Sequence, residues 1–196
     1  MKGNALIHAI KYLLHIDEPH SQTTLLEKKA IAKYAKSAQL SVEIGVYEGV
    51  NTVNIAKNIS SDGKVYAIDP FFKGQLGISY GKIITFSYVK RNNVHKKVVF
   101  IEKFSHEAVY GVPDKIDFIF VDGDHSLEGI KKDWADWSTK IKIGGIIALH
   151  DTSVPTHDQS ISQLGSYQYF NSMIIKDKRF ELIETIDSLN VLKRIL

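Results

Sequence analysis

The sequence predicts an α/β protein built on a doubly wound, mostly parallel sheet. Three observations carry that prediction. Short apolar runs (Leu40–Ile44, 65–68, Val98–Ile101, Ile116–Val121 and 146–149) recur along the chain. Longer amphipathic stretches separate them, which is the alternation of a sheet covered by helices on both faces. The last two runs, Phe180–Ile186 and 190–195, are joined only by a tight turn at Asp187-Ser188. No crossover helix fits there, so they form a hairpin and bring an antiparallel strand into the sheet.

Composition narrows the possibilities. A chain of 196 residues is one domain at ~100–200 residues per domain, and a core of that size buries roughly 70% of the unfolded surface. The 44% hydrophobic and 24% charged fractions are those of a globule. Cys is 0, which excludes disulfides, thiolate metal sites, iron–sulfur clusters and cysteine nucleophiles. A net charge of +3 calls for no nucleic-acid partner. No run of ~18 apolar residues is present, so no membrane span or membrane partner is expected. Residues 5–16 carry His8, Lys11 and His15 with no clean cleavage site after them, so they do not read as a signal peptide. The expectation is a soluble cytoplasmic protein.

The elements follow in order. Leu6, Ile10, Leu13 and Leu14 repeat at helical spacing, and Pro19 marks a break. Thr24 with Glu27 has capping-box spacing and opens a second helix running to about Ser37. Residues 1–38 are therefore expected to form a helical cap or an oligomer surface, the apolar stripe needing something to pack on. Residues 39–196 form the main domain. Helices are predicted at 49–59, at 82–92 and at Leu127–Trp137, the last with Leu127, Ile130, Trp134 and Trp137 on one core-facing stripe. Gly144-Gly145 precedes the run at 146–149, and loop and helix fill 158–175. His8 and His15 read as surface or packing residues, and Tyr88, Arg91 and His95 as a solvated helix face.

In an open α/β sheet, ligands bind beyond the carboxyl ends of the strands. Gly45 and Gly49 bracket the turn after the first strand, where the backbone can approach a ligand; they also suit an ordinary turn. Asp69 ends the second strand, placed to accept hydrogen bonds from ribose hydroxyls or simply to start a turn before Pro70. The spacing is not G-x-G-x-x-G, and Glu43 would repel a pyrophosphate, so a nucleoside ligand with a positive group fits better. Later, Asp122, Asp124, His125, His150 and Asp151 gather at two strand ends. Asp124 and Ser126 can cap the helix at Leu127. The remainder exceed what folding needs. Aromatic residues Phe71, Phe72 and Tyr80, with Lys73, and His157, Tyr167 and Tyr169 flank the site on loops 70–81 and 152–169.

VEIGVYEGVNT at 42–52 followed by VYAIDP at 65–70 resembles the first two motifs of class I S-adenosylmethionine-dependent methyltransferases, and the likeness covers about residues 38–196. It implies the Rossmann-like seven-stranded sheet with a reversed last strand. It implies S-adenosyl-L-methionine as cofactor, with Glu43, Gly45, Gly49, Thr52, Asp69, Ser105 and Asp122 on the donor side. The segments IDFIFVDGDHSLEG and GGIIALHDTS are similar to those of the branch that includes metal-dependent macrolide-sugar O-methyltransferases and cephalosporin-hydroxylase-like proteins. By that resemblance Asp122, His150 and Asp151 hold a divalent metal and His125 is the general base. His150 replaces an acidic residue there; if it ligates, Mn²⁺, Fe²⁺ or Zn²⁺ replaces Mg²⁺ as the favoured ion. The expected reaction is metal-assisted O-methylation of a small molecule, a sugar or secondary metabolite. The alternatives are a metal-dependent hydrolase built on Asp122, His125, His150 and Asp151, or a non-catalytic nucleoside-binding module.

Overall fold

Seven strands, each short and rich in Ile, Val and Phe, pair into a single sheet: β1 (Leu40–Ile44), β2 (Lys64–Ile68), β3 (Val98–Ile101), β4 (Ile116–Val121), β5 (Ile141–Leu149), β6 (Phe180–Ile186) and β7 (Leu189–Arg194). They appear in a computed structural model that describes residues 5–196; residues 1–4, the start of the expected N-terminal helical segment, lie outside the described residues. The strand order is β3-β2-β1-β4-β5-β7-β6. β1 through β5 pair in parallel, while β7 is antiparallel to both β5 and β6. This is the seven-stranded, reversed-strand sheet expected from the sequence.

Helices cover both faces because the central strands are apolar on both. β4 illustrates the alternation. Phe118 and Phe120 join Ile31, Val53 and Val89 on one side, and Ile119 and Val121 join Ile130, Trp134 and Trp137 on the other. The first side carries α2 (Leu25–Ala35), α3 (Val50–Asn58) and α4 (Tyr80–Arg91). The second carries α5 (Ser105–Ala108), α6 (Leu127–Trp137) and α7 (Gly165–Ser172). From β1 the chain winds one way to β2 and β3 and then the other way to β4 and β5. The crevice at that switch, between the ends of β1 and β4, is where such sheets take ligands.

Two expectations need correcting. β5 begins at Ile141, not after the glycine pair. Its register against β4 jumps from Ile116↔Ile141 to Phe118↔Ile146, so Gly144-Gly145 are absorbed as a bulge instead of ending the strand. The N-terminal helix α1 (Ala5–Leu13) also turns a different face inward. Ala9 and Tyr12 pack on Tyr80 and Ile84 of α4, while Ile10, Leu13 and Leu14 are 47%, 48% and 63% exposed. Arg91, read as solvated, stacks on the Tyr12 ring and donates to the Tyr12 carbonyl at 3.1 Å.

α2 starts at the predicted capping box and sends Ala30, Ile31 and Ala35 into the sheet's core, so residue 38 marks no break in packing. No helix among the described residues is long and apolar enough to cross a membrane. If α2 is integral to the core, Ile31→Ala will cost about 2–5 kcal/mol in urea unfolding. A loss below about 0.5 kcal/mol, the range of surface substitutions, would show α2 to be dispensable.

Candidate active site

The crevice holds a cavity of about 870 Å³, within the ~300–1,000 Å³ range of small-molecule sites. Its walls come from the turn after β1, the end of β2, the start of α5, the end of β4 and the first half of α6. Residues 20–22, between α1 and α2, close one side.

Gly45 explains how the β1 turn is shaped. Its φ is +86°, and a Cβ there would lie 2.0 Å from the Asp122 carbonyl oxygen. Only glycine lets the turn press against the end of β4. Asp69 holds the same turn from the other side. Its Oδ2 accepts from the backbone N–H of Val46 (2.9 Å) and Tyr47 (3.2 Å), and its Oδ1 from that of Phe71 (2.6 Å). Gly45, Asp69, Ser105 and Asp122 all line the cavity.

Glu43, Gly49 and Thr52 do not line it. Glu43 is fully buried beneath the turn, where the Thr52 hydroxyl donates to its Oε2 and its Oε1 has no partner. Burial pushes its carboxyl well above the usual range. Gly49 opens α3 at φ +80°, with Thr85 packed against the place of its missing Cβ. These three residues lie behind the cavity wall and support the turn. The sequence offers no way to separate the two roles, because support and contact lie in one motif.

The second group gathers where β4 and β5 end. His125 stands between two carboxylates: Nε2 is 3.7 Å from Asp122 Oδ1 and Nδ1 is 3.7 Å from Asp151 Oδ2. One ligand atom from each of Asp122, His125 and Asp151 lies within 4.8 Å of the other two. α7 secures this arrangement. Ser166 N–H donates to the His125 carbonyl (3.1 Å) and Ser166 Oγ to that of Asp151 (2.7 Å). Gly165 allows the approach, since a Cβ there would be 2.0 Å from the Leu127 nitrogen.

His150 lies behind this group, only 5% exposed and off the cavity wall. Its Nε2 faces Glu27 Oε2 at 3.4 Å. Its Nδ1 is 3.0 Å from Asp122 Oδ1 and 3.4 Å from Asp151 Oδ1, ion-pair separations without hydrogen-bond alignment. Burial alone would lower its pKa, but Asp122, Asp151 and Glu27 outweigh burial and push it up to about 12. His150, expected as a metal ligand, is not among the ligand atoms that Asp122, His125 and Asp151 bring together; it lies behind the two aspartates and faces both at ion-pair distance as a buried counter-charge. Glu27 is equally buried, and its partners bring it down to about 2 against the opposing effect of burial. It was visible in the sequence only as a capping residue.

At the α5 side, the Ser105 hydroxyl donates to Asp133 on α6, a cavity residue that sequence reasoning missed. Burial pushes Asp133 up to about 6. Ser126 caps α6 by accepting from Gly129 N–H (3.0 Å), and Asp124 accepts from Ser126, which accounts for both. Of the loop aromatics, Phe71 and Phe72 line the cavity; Tyr80 packs on α1, and His157, Tyr167 and Tyr169 lie off the wall.

Two outcomes follow from this geometry. Asp133 has a folded-state pKa raised from 3.8 to about 6, so its charge opposes folding above pH 6 and not below pH 4. Asp133→Asn should stabilise the fold at pH 8, by at most roughly 3 kcal/mol, and the gain should fade as pH falls from 6 to 4. Gly45→Ala should force the β1 turn off the end of β4, lower the melting temperature and abolish the further melting shift given by S-adenosylhomocysteine; an unchanged shift would remove the turn from the donor site.

A family profile described as a methyltransferase domain matches residues 42–152, more than half the chain. The tapetum-specific methyltransferase 1 of Arabidopsis thaliana is 27% identical over 182 residues, 82% of this chain and 71% of that protein. The O-methyltransferase TomG from Streptomyces achromogenes, solved with its donor, superposes with a TM-score of 0.68 at 16% identity, covering 100% of this chain and 92% of that one. An O-methyltransferase from Bacillus cereus in complex with S-adenosylhomocysteine gives 0.67 at 17% identity, covering 99% and 92%. These two likenesses establish the fold. With the family match running from β1 through the Asp122 and Asp151 strand ends, the chain belongs to the methyltransferase domain family and is a class I S-adenosylmethionine-dependent methyltransferase.

Proposed function

We propose that this methyltransferase acts on a hydroxyl oxygen of a small molecule, of the sugar or secondary-metabolite class, with a divalent cation beside the acceptor. The observation that carries the reading is the convergence of Asp122, His125 and Asp151 at the crevice. The two carboxylates are donors that suit a divalent cation, and the imidazole within 4.8 Å of them stays free to act as a base. Asp122 and Asp151 would hold it, and hard oxygen donors match Mg²⁺ or Mn²⁺.

When bound, S-adenosylmethionine supplies a methyl group already activated on a sulfonium, and a divalent cation acidifies a hydroxyl it coordinates. The chain's own tasks are then alignment and proton removal. Gly45 and Asp69 shape the donor side, and Ser105 with Asp133 lines the wall at α5 and α6. His150 and Glu27 keep the two carboxylates in place from behind. His125 is the most open of the three, its side chain 29% exposed against 16% for each aspartate. It takes the acceptor's proton on a ring nitrogen that opens to the cavity.

That TomG and the Bacillus cereus protein are O-methyltransferases is in keeping with an oxygen acceptor. A hydrolase reading leaves Gly45 and Asp69 without a task, and a pure binding module leaves His125 without one. The test is methyl transfer to a panel of hydroxylated acceptors. EDTA should abolish turnover and Mg²⁺ or Mn²⁺ restore it. His125→Ala should lower kcat by about 10²–10⁴-fold with donor affinity nearly unchanged. Full turnover in EDTA would refute the cation, and full turnover in the variant would refute the base.

A further inference from the structure

Asp133 on α6 is a buried acid for which proton transfer and cation binding have no use. It is 5% exposed and lines the cavity. The Ser105 hydroxyl donates to its Oδ1, while its Oδ2 makes no hydrogen bond among the described residues. Gly123, just after β4, puts no side chain over that oxygen; a Cβ there would stand 3.6 Å from Oδ2. We propose that Asp133 reads the base of the methyl donor, its free carboxylate oxygen accepting a hydrogen bond from the 6-amino group of adenine. The donor is the one the family match establishes, and neither the acceptor nor the cation enters.

The direction of the donor places its base. A nucleoside sulfonium has its sulfur on one side of the ribose and its base on the other. Methyl transfer needs the sulfur near the acceptor groups Asp122, His125 and Asp151, which follow β4 and β5. Asp69, the carboxylate placed for a ribose, follows β2. In the order β3-β2-β1-β4-β5, the base then points past β2 towards β3. The cavity wall on that side is Phe104, Ser105 and His106, and Asp133 is tied to it through Ser105. Phe72 and Phe104 meet edge to face at 5.8 Å in the same wall, an apolar surface for a flat ring.

Hydrogen-bond polarity selects the atom. The donor molecule carries N–H or O–H groups at three places: the ribose, the α-ammonium and the 6-amino group. The ribose belongs at Asp69 and the ammonium at the sulfur end. The amine is left for the base wall, and an ionised carboxylate there can only accept.

A brace for Ser105 would need no charge, since an asparagine oxygen accepts the same hydroxyl. Burial pushes Asp133 up to about 6, and Asp136 and Asp124 add repulsion that Ser105 and His106 offset only in part. A charge kept in a cavity wall at a cost to folding fits a group that ligand binding rewards.

The test is calorimetric titration at pH 8 with S-adenosylhomocysteine and with its 6-deamino analogue, which has purine in place of adenine. Wild type should bind the first about 10–100-fold more tightly, the worth of one hydrogen bond to a charged group. With its oxygen kept on Ser105, Asp133→Asn turns an amide N–H2 group into the cavity, where it opposes the amine. The variant should lose the preference by weakening S-adenosylhomocysteine while leaving the analogue nearly unchanged. Its melting curve, expected at or above that of wild type at this pH, separates lost binding from lost folding. An equal loss for both ligands, with the preference intact, would make Asp133 a brace for Ser105 and overturn the proposal. So would a wild type that binds the two ligands alike, or a variant that binds S-adenosylhomocysteine as wild type does.

Discussion

The carboxylate of Glu27 is the interaction on which most of the site depends. Buried at the start of α2, it accepts from Thr24 N–H at 2.7 Å and from Ser188 N–H and Oγ at 2.9 and 2.7 Å, and faces His150 at 3.4 Å. One group thus ties α2, the β6–β7 hairpin and the end of β5 together. Thr24 adds a second tie, donating to Asp187 at 2.7 Å. Removing one partner of a buried pair costs about 3–5 kcal/mol, because the other charge is left without compensation. Here the abandoned partner would be His150, and through it Asp122 and Asp151 would lose the cation that keeps two like charges side by side. The helix that looks like an appendage in the sequence is therefore a support of the chemistry.

A close approach of backbones does for the donor side what Glu27 does for the acceptor side. The β1 turn is pressed onto β4 at Gly45, held there by Asp69, and underlain by the Glu43–Thr52 pair. A buried carboxyl with one unpartnered oxygen is costly in an ordinary core. Protonation, which burial favours for Glu43, lowers that cost by removing the charge. The turn can then remain rigid and uncharged just beneath a ligand that carries positive charge.

Much of this architecture was legible from local patterns. The bounds of β1, β3, β4 and α6 follow from runs of Ile, Val and Phe and from the capping signal at Ser126. Gly45, Asp69, Asp122 and His125 could be placed at the crevice because strand ends and topology together fix that edge. What escaped was set by distant partners. Glu27 carries a capping-box signal, which is local, but its contacts to Ser188 and His150 lie 161 and 123 residues away. The inward face of α1 was misread because Ala9 and Tyr12 lie off the strongest apolar stripe, and only the presence of α4 selects them. His8 looked like a surface residue for the same reason: its partners, His20 and Glu48, come from other segments. Asp133 gave no signal because a single aspartate on an amphipathic helix reads as solvated.

Strain is concentrated on the same edge of the sheet. Tyr47, Phe71 and Asp151 take left-handed backbone angles (φ 54°, 46° and 53°) just after β1, β2 and β5. Such residues cost of order 1–2 kcal/mol each and persist only when their surroundings hold them. Asp69 holds two of them through the N–H groups of Tyr47 and Phe71, and Ser166 holds the third through the Asp151 carbonyl. This has a consequence for ligand binding. A carboxylate offers about four acceptor positions, and the N–H groups of Val46, Tyr47 and Phe71 already occupy three on Asp69. One remains, on Oδ1. A ribose engaging Asp69 can take a single hydrogen bond without loosening the turn; a second would have to displace a backbone N–H and release the strain stored beside it. A ligand that took a second bond from Asp69 would have to move the β1 turn with it.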